Sequence, residues 1–282
     1  IIVFQFCKGK EFFSKEYWGY ALRIGIPIVP HYLSGIILNQ GDRIMIDKMV
    51  GKTEVALYGL AYSIGMLVQL FISGMNSALT PWMYSKIKKG DIRSMRKVLQ
   101  LLSIVVVGIA VALMLISPEL VLIFGSPKYR EAVYVIPPVA ASVFFIFIYN
   151  ILSMPQFYYE KTQFLMAASM AAAGANVVLN FIFIRLFGYI AAGYTTLACY
   201  MLYSVGHYIV SKRILVNEGI QENLMSPGFL VACSVFLIGA SIICNLIFPY
   251  RILRYAILLA SAGLVFWKKE LLLKTMADTR KK

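Results

Sequence analysis

Long apolar runs, separated by short polar junctions, follow one another along most of the sequence. A bilayer core of about 30 Å is crossed by roughly 20 apolar residues in a helix. About eight runs meet this requirement, and none alternates apolar and polar positions as a strand does. The pattern predicts an all-α fold, a polytopic membrane helical bundle of about eight transmembrane helices. The expected spans are residues 20–41, 55–83, 98–117, 133–153, 163–184, 189–210, 228–248 and 252–267.

The two ends of the chain differ from this bundle. Residues 1–7 (IIVFQFC) are apolar, so we expect the end of a truncated transmembrane helix there. Residues 8–19 (KGKEFFSKEYWG) mix lysines with aromatic side chains, which indicates a cytoplasmic interfacial linker; a plain linker is the alternative. The C-terminal transmembrane bundle then comprises residues 20–267, and residues 268–282 form a basic tail.

The distribution of lysine and arginine between the junctions orients the bundle. Most of the 27 lysines and arginines lie in every second junction and in the tail. By the positive-inside rule this richer side is cytoplasmic. We therefore expect a multi-pass protein of the cytoplasmic (inner) membrane with its C-terminus in the cytoplasm. Because topology explains the net charge of +14, nucleic acid is not an expected partner.

Composition supports a membrane protein and disfavours an enzyme. The chain is 60% hydrophobic and 14% charged, with a mean hydropathy of +0.75, whereas soluble domains have about 25% charged residues. The four cysteines lie in apolar runs without disulfide or metal-ligand spacing. Phosphate-binding loops and common hydrolase motifs are absent from the sequence, and neither histidine has an acid at ligand spacing. We therefore expect no catalytic residues, no metal and no cofactor.

The first complete span has an unusual polar content. Pro27 and Pro30 lie within its apolar part, where proline removes a helical hydrogen bond. A charge inside a membrane helix is costly and is by default a candidate for function. Asp42 and Arg43 equally fit a position at the outer membrane interface. Helical spacing puts six positions on one face: His31, Ser34, Gly35, Asn39, Asp42 and Arg43.

Other predicted spans carry polar stripes of their own. Packing is the alternative interpretation of each stripe, since polar side chains also hold membrane helices together at roughly 0.6 kcal/mol per hydrogen bond. Taken together, the stripes favour a hydrated central cavity, with Pro27 and Pro30 as a gate. The stripes contain Tyr58, Tyr62, Gln69, Ser73, Asn76, Thr80 and Tyr84; Tyr149, Asn150, Ser153 and Gln156; Ser169, Asn176 and Asn180; and Thr196, Tyr200, Tyr203 and His207. The predicted substrate-binding residues are Arg43, Asp42, Asn39, His31, Gln69, Asn76, Asn176 and Asn180.

Two stretches resemble a known family. Residues 22–65, LRIGIPIVPHYLSGIILNQGDRIMIDKMVGKTEVALYGLAYSIG, contain P-x-x-P-H, then D-R-x-x-I near the helix end, then a short glycine-containing loop. Residues 122–139, LIFGSPKYREAVYVIPPV, resemble the family's outer loop, with Tyr129, Ala132 and Pro137 in the expected order. The chain resembles the C-terminal part of Wzx-type polysaccharide flippases, in the multidrug/oligosaccharidyl-lipid/polysaccharide exporter superfamily.

This resemblance implies the second lobe of a two-lobe transporter that works by alternating access. The implied substrate is a lipid-linked oligosaccharide, a repeat unit of O-antigen, lipopolysaccharide or exopolysaccharide, flipped across the cytoplasmic membrane. Membrane lipids, a polysaccharide polymerase and glycosyltransferases are the implied partners. Because the substrate's pyrophosphate is anionic, Arg23, Arg43 and Arg185 are the expected contacts.

Two other functions stay open at this point. An ion-coupled multidrug exporter of the same superfamily requires a buried acid, for which Asp42 is the candidate in this chain. A membrane enzyme or scaffold of envelope polysaccharide synthesis is the third hypothesis, and the missing acid–base cluster argues against the enzyme.

Overall fold

A computed structural model describes residues 14–267. The predicted truncated helix 1–7, the first part of the predicted linker 8–19 and the basic tail 268–282 lie outside the described residues. Within the described part, helices account for nearly all of the chain and no strand is present, so the predicted all-α fold is confirmed.

Nine α-helices and one 3-10 segment make up the described residues. Helix α1 begins at Lys15, inside the predicted linker, and runs without interruption through both prolines to Met49. In order, the elements are α1 Lys15–Met49, α2 Lys52–Gly65, α3 Leu67–Lys88, α4 Ile92–Phe124, the 3-10 segment Pro127–Val135, α5 Ile136–Tyr158, α6 Thr162–Phe187, α7 Ala191–Asn217, α8 Pro227–Ile247 and α9 Arg251–Trp267.

Six stretches of the described chain are long and apolar enough to cross a membrane. Helices α2 and α3 together form one of them, Lys52–Lys88. Helices α7 and α9 also form where spans were predicted, at 189–210 and 252–267, but they are not among the six. Helix α7 carries a polar stripe, and α9 has only 17 residues. The six candidates are Lys15–Met49, Lys52–Lys88, Ile92–Phe124, Pro127–Tyr158, Thr162–Phe187 and Pro227–Ile247.

Helix α5 is the centre of the bundle, and α1 lies at its edge. Every residue from 136 to 148 is buried, since α5 packs most extensively on α7 and also contacts α2, α3, α4 and α8. In contrast, α1 packs mainly on α6. Buried residues make up 89% of the most apolar part of Pro127–Tyr158 but only 11% of that part of Lys15–Met49. One long side of α1 therefore has no protein neighbour among the described residues.

The second predicted span is divided at Met66, which interrupts the helix between α2 and α3. Gly65 lies against α5 so closely that a Cβ atom there would be 2.7 Å from Cγ1 of Val139. A residue without a side chain is therefore required for α5 to approach this break. The change of helix also means that residues before and after Met66 do not share one continuous face.

Candidate functional site

The site is built around Asp42, a carboxylate with 0% exposure near the end of α1. Its Oδ2 accepts hydrogen bonds from the hydroxyl of Tyr58 at 2.5 Å and from the hydroxyl of Thr196 at 2.6 Å. Its Oδ1 accepts a third hydrogen bond, from Nδ2 of Asn180 at 2.5 Å. The three donors come from α2, α7 and α6, so one carboxylate joins four helices. None of the ion pairs among the described residues involves Asp42.

Amides and hydroxyls of α6 and α7 continue this network. Nδ2 of Asn180 also donates to Oδ1 of Asn176 at 3.1 Å, and the hydroxyl of Thr195 donates to Oδ1 of Asn180. Nδ2 of Asn176 donates to the Thr196 hydroxyl at 3.4 Å. All four residues are buried. We call Asp42, Tyr58, Asn176, Asn180, Thr195 and Thr196 the buried polar network. Neutral hydrogen-bond donors from three helices thus surround the carboxyl group of Asp42 and satisfy both of its oxygens.

One turn before Asp42, Asn39 lines an open cavity. Oδ1 of Asn39 accepts hydrogen bonds from the hydroxyls of Tyr62 at 2.8 Å and Tyr200 at 3.3 Å. The cavity has a volume of about 690 Å³ and lies between α1, α2, α5 and α7. Polar groups of its wall include His31, Asn39, Gln40, Arg43, Tyr62, Tyr149, Asn150, Ser153, Tyr200 and Tyr203.

Stacked aromatic rings form one wall of the cavity. The rings of Tyr149 and Tyr200 are nearly parallel, with centroids 6.3 Å apart, and Tyr203 lies 4.5 Å from Tyr149. The hydroxyl of Tyr203 lies 3.0 Å from Nδ1 of His31. Further along α7, Nδ1 of the buried His207 lies 2.7 Å from Nε2 of Gln156. This wall presents flat apolar faces together with hydroxyl groups, a surface suited to a ligand with both kinds of group.

Arg43 is the cationic group of this cavity. Its Nη1 donates to Oε1 of Gln40 at 3.0 Å, and its guanidinium lies 5.0 Å from the centre of the Tyr62 ring. Nε of Arg43 is buried without a hydrogen-bond partner. The other two arginines suggested by the resemblance do not line the cavity. Arg23 is exposed, and Arg185 is exposed with its guanidinium 3.9 Å from the centre of the Phe181 ring.

The predicted site residues therefore divide into three groups. His31, Asn39 and Arg43 line the cavity, and Asp42, Asn176 and Asn180 belong to the buried polar network beside it. Gln69 and Asn76 belong to neither group. Both lie in α3, beyond the break at Met66, whereas the cavity is lined by residues of α2. Pro27 and Pro30 lie within the continuous helix α1, before His31, and their gating role stays a prediction.

The predicted set lacked several residues that complete the site. Tyr58, Tyr62, Thr196, Tyr149, Tyr200 and Tyr203 were assigned to polar stripes but not to the site. Their helical spacing was the available signal, although it could not tell which stripes face Asp42. Thr195 carried no such signal. Within residues 14–267, no group of three or more His, Cys, Asp or Glu is arranged to hold a metal ion.

Comparison with known proteins gives partial matches. Residues 1–88 match the family model described as polysaccharide biosynthesis protein. A Haemophilus influenzae protein of the Lsg locus is 29% identical over 159 residues, which cover 54% of this chain and 38% of the relative. A second Haemophilus influenzae protein, described as an uncharacterized membrane protein, is 30% identical over 165 residues, which cover 55% of this chain and 39% of the relative. No solved structure matches the chain.

The matched region thus spans less than half the length of either relative. The family match covers α1, α2 and α3, the part of the chain that contributes Asp42, Arg43 and Tyr62 to the site. These comparisons show that the chain is similar to membrane proteins of a polysaccharide-biosynthesis family.

Proposed function

We propose that this chain forms one lobe of a transporter that flips a lipid-linked oligosaccharide across the cytoplasmic membrane by alternating access. The comparisons support a polysaccharide-related membrane protein, which fits a transporter better than an enzyme. The observation that carries the finer proposal is the cavity of about 690 Å³ beside α1. Its volume falls within the range of about 300–1,000 Å³ that is typical of ligand sites.

The chemistry of the cavity suits the pyrophosphate and the sugars of such a substrate. Arg43 supplies a guanidinium, which pairs with phosphate oxygens through two hydrogen bonds. Its Nε has no hydrogen-bond partner among the described residues. Tyr149 is partly buried and supplies ring surface for the apolar faces of sugars, whereas Tyr200 and Tyr203 pack against it and bond Asn39 and His31.

A second lobe completes the transporter in this proposal. The exposed side of α1 carries large apolar residues, including Ile26, Val29, Tyr32 and Leu33, at 55–66% exposure. The cavity opens between α1 and its neighbours, so a second helical bundle against α1 would enclose it. In this arrangement a bend at Pro27 and Pro30 opens the cavity to the cytoplasm, and the C-terminus is cytoplasmic. Glycosyltransferases would supply the substrate, and a polymerase would consume it.

The test replaces Arg43 in the full-length protein. Arg43→Ala is expected to lower polysaccharide export about tenfold or more, the size of one charged hydrogen bond, while the amount of protein in the membrane is unchanged. Arg213→Ala is the matched control, because Arg213 is exposed on α7 and does not line the cavity. Export would be measured as surface polysaccharide in cells, and as flipping of a labelled lipid-linked oligosaccharide in liposomes. Normal export with Arg43→Ala would remove Arg43 from the mechanism.

Asp42 favours a second candidate, an ion-coupled multidrug exporter. A fully buried carboxylate that joins four helices and has no cationic partner within residues 14–267 could take up a proton or a small cation during transport. Drug susceptibility of cells with and without the gene separates the two candidates. Drug resistance that requires the gene, and that is lost in the Asp42→Asn variant, would favour drug export over polysaccharide export.

A further inference from the structure

A second large cavity lies away from the candidate site, at the opposite end of the bundle from the α3–α4 junction. It has a volume of about 720 Å³ and is bounded by the end of α4, the 3-10 segment and the junction of α8 with α9. We call it the terminal groove. It shares no lining residue with the cavity beside α1.

The base of the terminal groove is a fixed ion pair. Arg254 donates through Nη2 to Oε1 of Glu119 at 2.7 Å and through Nη1 to Oε2 at 2.8 Å. Nη1 also donates to the carbonyl oxygen of Leu115 at 2.6 Å. Arg254 is 3% exposed, and its Nε is buried without a partner. The pair ties α9 to α4 and leaves one buried N–H of a guanidinium unused in the wall of the groove.

Two further arginines line the groove and remain without an acid. Arg130 and Arg251 are exposed, and no ion pair among the described residues involves either of them. Glu131 is the remaining acid of the lining, and it is also exposed without an ion pair. Because Glu119 neutralises Arg254, the groove keeps an excess of one positive charge. A single anionic group in the groove therefore fits its charge.

The surroundings of the groove indicate that its ligand comes from the bilayer. Tyr134 and Phe248 form part of the lining, with ring centroids 5.8 Å apart. Leu122, also in the lining, is 52% exposed, and Ile252, beside Arg251, is 87% exposed. Such apolar surface is covered by acyl chains in a membrane, whereas arginines near helix ends reach toward the headgroups.

We propose that the terminal groove binds the phosphate of an anionic membrane lipid. Arg130 and Arg251 hold the phosphate, and Tyr134, Phe248 and Leu122 contact the upper part of an acyl chain. The site is separate from the transport cavity, so it does not depend on the substrate proposed above.

The test measures lipid binding to the purified full-length protein by native mass spectrometry. Phosphatidylglycerol is the probe, and diacylglycerol, which lacks the phosphate, is the comparison. We expect phosphatidylglycerol to bind and diacylglycerol to bind much more weakly. The R130A/R251A variant is expected to weaken phosphatidylglycerol binding roughly tenfold for each arginine. Glu131→Gln, which removes the opposing charge, is expected to tighten it.

The matched control is K52A/K128A. It removes the same charge from exposed positions that do not line the groove, and Lys128 lies in the same 3-10 segment as Arg130. Equal weakening in both double variants would show general electrostatic attraction and overturn the proposal. Equal binding of the two lipids would also overturn it. Displacement of the lipid by inorganic phosphate at millimolar concentration would identify a soluble anion site instead, whereas retention of the lipid supports a membrane source.

Discussion

Asp42→Ala tests whether the buried polar network holds the bundle together. The substitution removes the common acceptor of Tyr58, Thr196 and Asn180, all of which have 0% exposure. A buried donor left without an acceptor costs about 1–3 kcal/mol. Three such donors predict that the free energy of unfolding falls by at least about 3 kcal/mol. Since 1 kcal/mol shifts the midpoint of a domain of this size by about 2–4 °C, we expect a decrease of roughly 6–12 °C.

The measurement is thermal unfolding of the purified protein in detergent, with two comparison variants. Asp42→Asn keeps one carbonyl acceptor and removes a buried charge, whose desolvation is unfavourable, so its loss of stability should be smaller than that of Asp42→Ala. Asp47→Ala is the control, because Asp47 is an exposed acid on the same helix, and it should leave the midpoint unchanged. A midpoint for Asp42→Ala equal to that of wild type would refute the structural role of the network.

Three further predictions concern other parts of the bundle. Gly65→Val should lower the unfolding midpoint, since Cβ would meet Val139 Cγ1 at 2.7 Å and overpacking costs about 1–3 kcal/mol; a Val139→Ala partner substitution should restore part of the loss. Asp91 accepts hydrogen bonds from Lys86 and Ser94, which lower the pKa of its carboxyl to about 2. Because the folded pKa lies below its ordinary value, this stabilisation is present above about pH 4 and is lost as the pH falls to about 2. At neutral pH, Asp91→Ala should lower the free energy of unfolding by about 1 kcal/mol through the loss of a helix cap. Unfolding of wild type and variant at pH 7 and at about pH 2 checks that the difference between them disappears in acid. The hydroxyl of Tyr20 donates to Glu160 at 2.5 Å, so Tyr20→Phe should speed hydrogen exchange at the start of α1 and not in α5; unchanged exchange in α1 would show that this contact does not restrain the helix.

The sequence was a good guide to the helices, because apolar runs long enough to cross a bilayer have few other stable conformations. It could not locate the break at Met66, since the apolar pattern continues across it. The break lies beside Gly65, which approaches Val139, 74 positions later, and this proximity is visible only in three dimensions. Gln69 and Asn76 follow the break, and neither of them lines the cavity.

For the site too, helical spacing predicts which residues share a face of one helix, but not which faces of different helices meet. Spacing on α1 identified the face that carries His31, Asn39 and Asp42, and the structure puts that face toward the cavity and the buried polar network. Spacing could not show that Tyr58 and Thr196 donate to one carboxylate, because they come from α2 and α7. The ion pair between Glu119 and Arg254 joins residues 135 positions apart and had no sequence signal at all.

The two halves of α1 are held in different ways, which bears on the predicted gating role of its prolines. From Asn39 to Ile46 the helix is tied to α2, α6 and α7 by buried hydrogen bonds and by Ile46, which is 0% exposed. Before Pro27 none of residues 15–26 is buried. The hydrogen bonds there include one from Tyr20 to Glu160 and one from Thr162 to the carbonyl of Ile24 at 3.3 Å. Helices bend at proline because a backbone hydrogen bond is missing there. A bend at Pro27 and Pro30 would therefore move residues 15–26 against a fixed second half, and His31 lies where the moving and fixed parts meet.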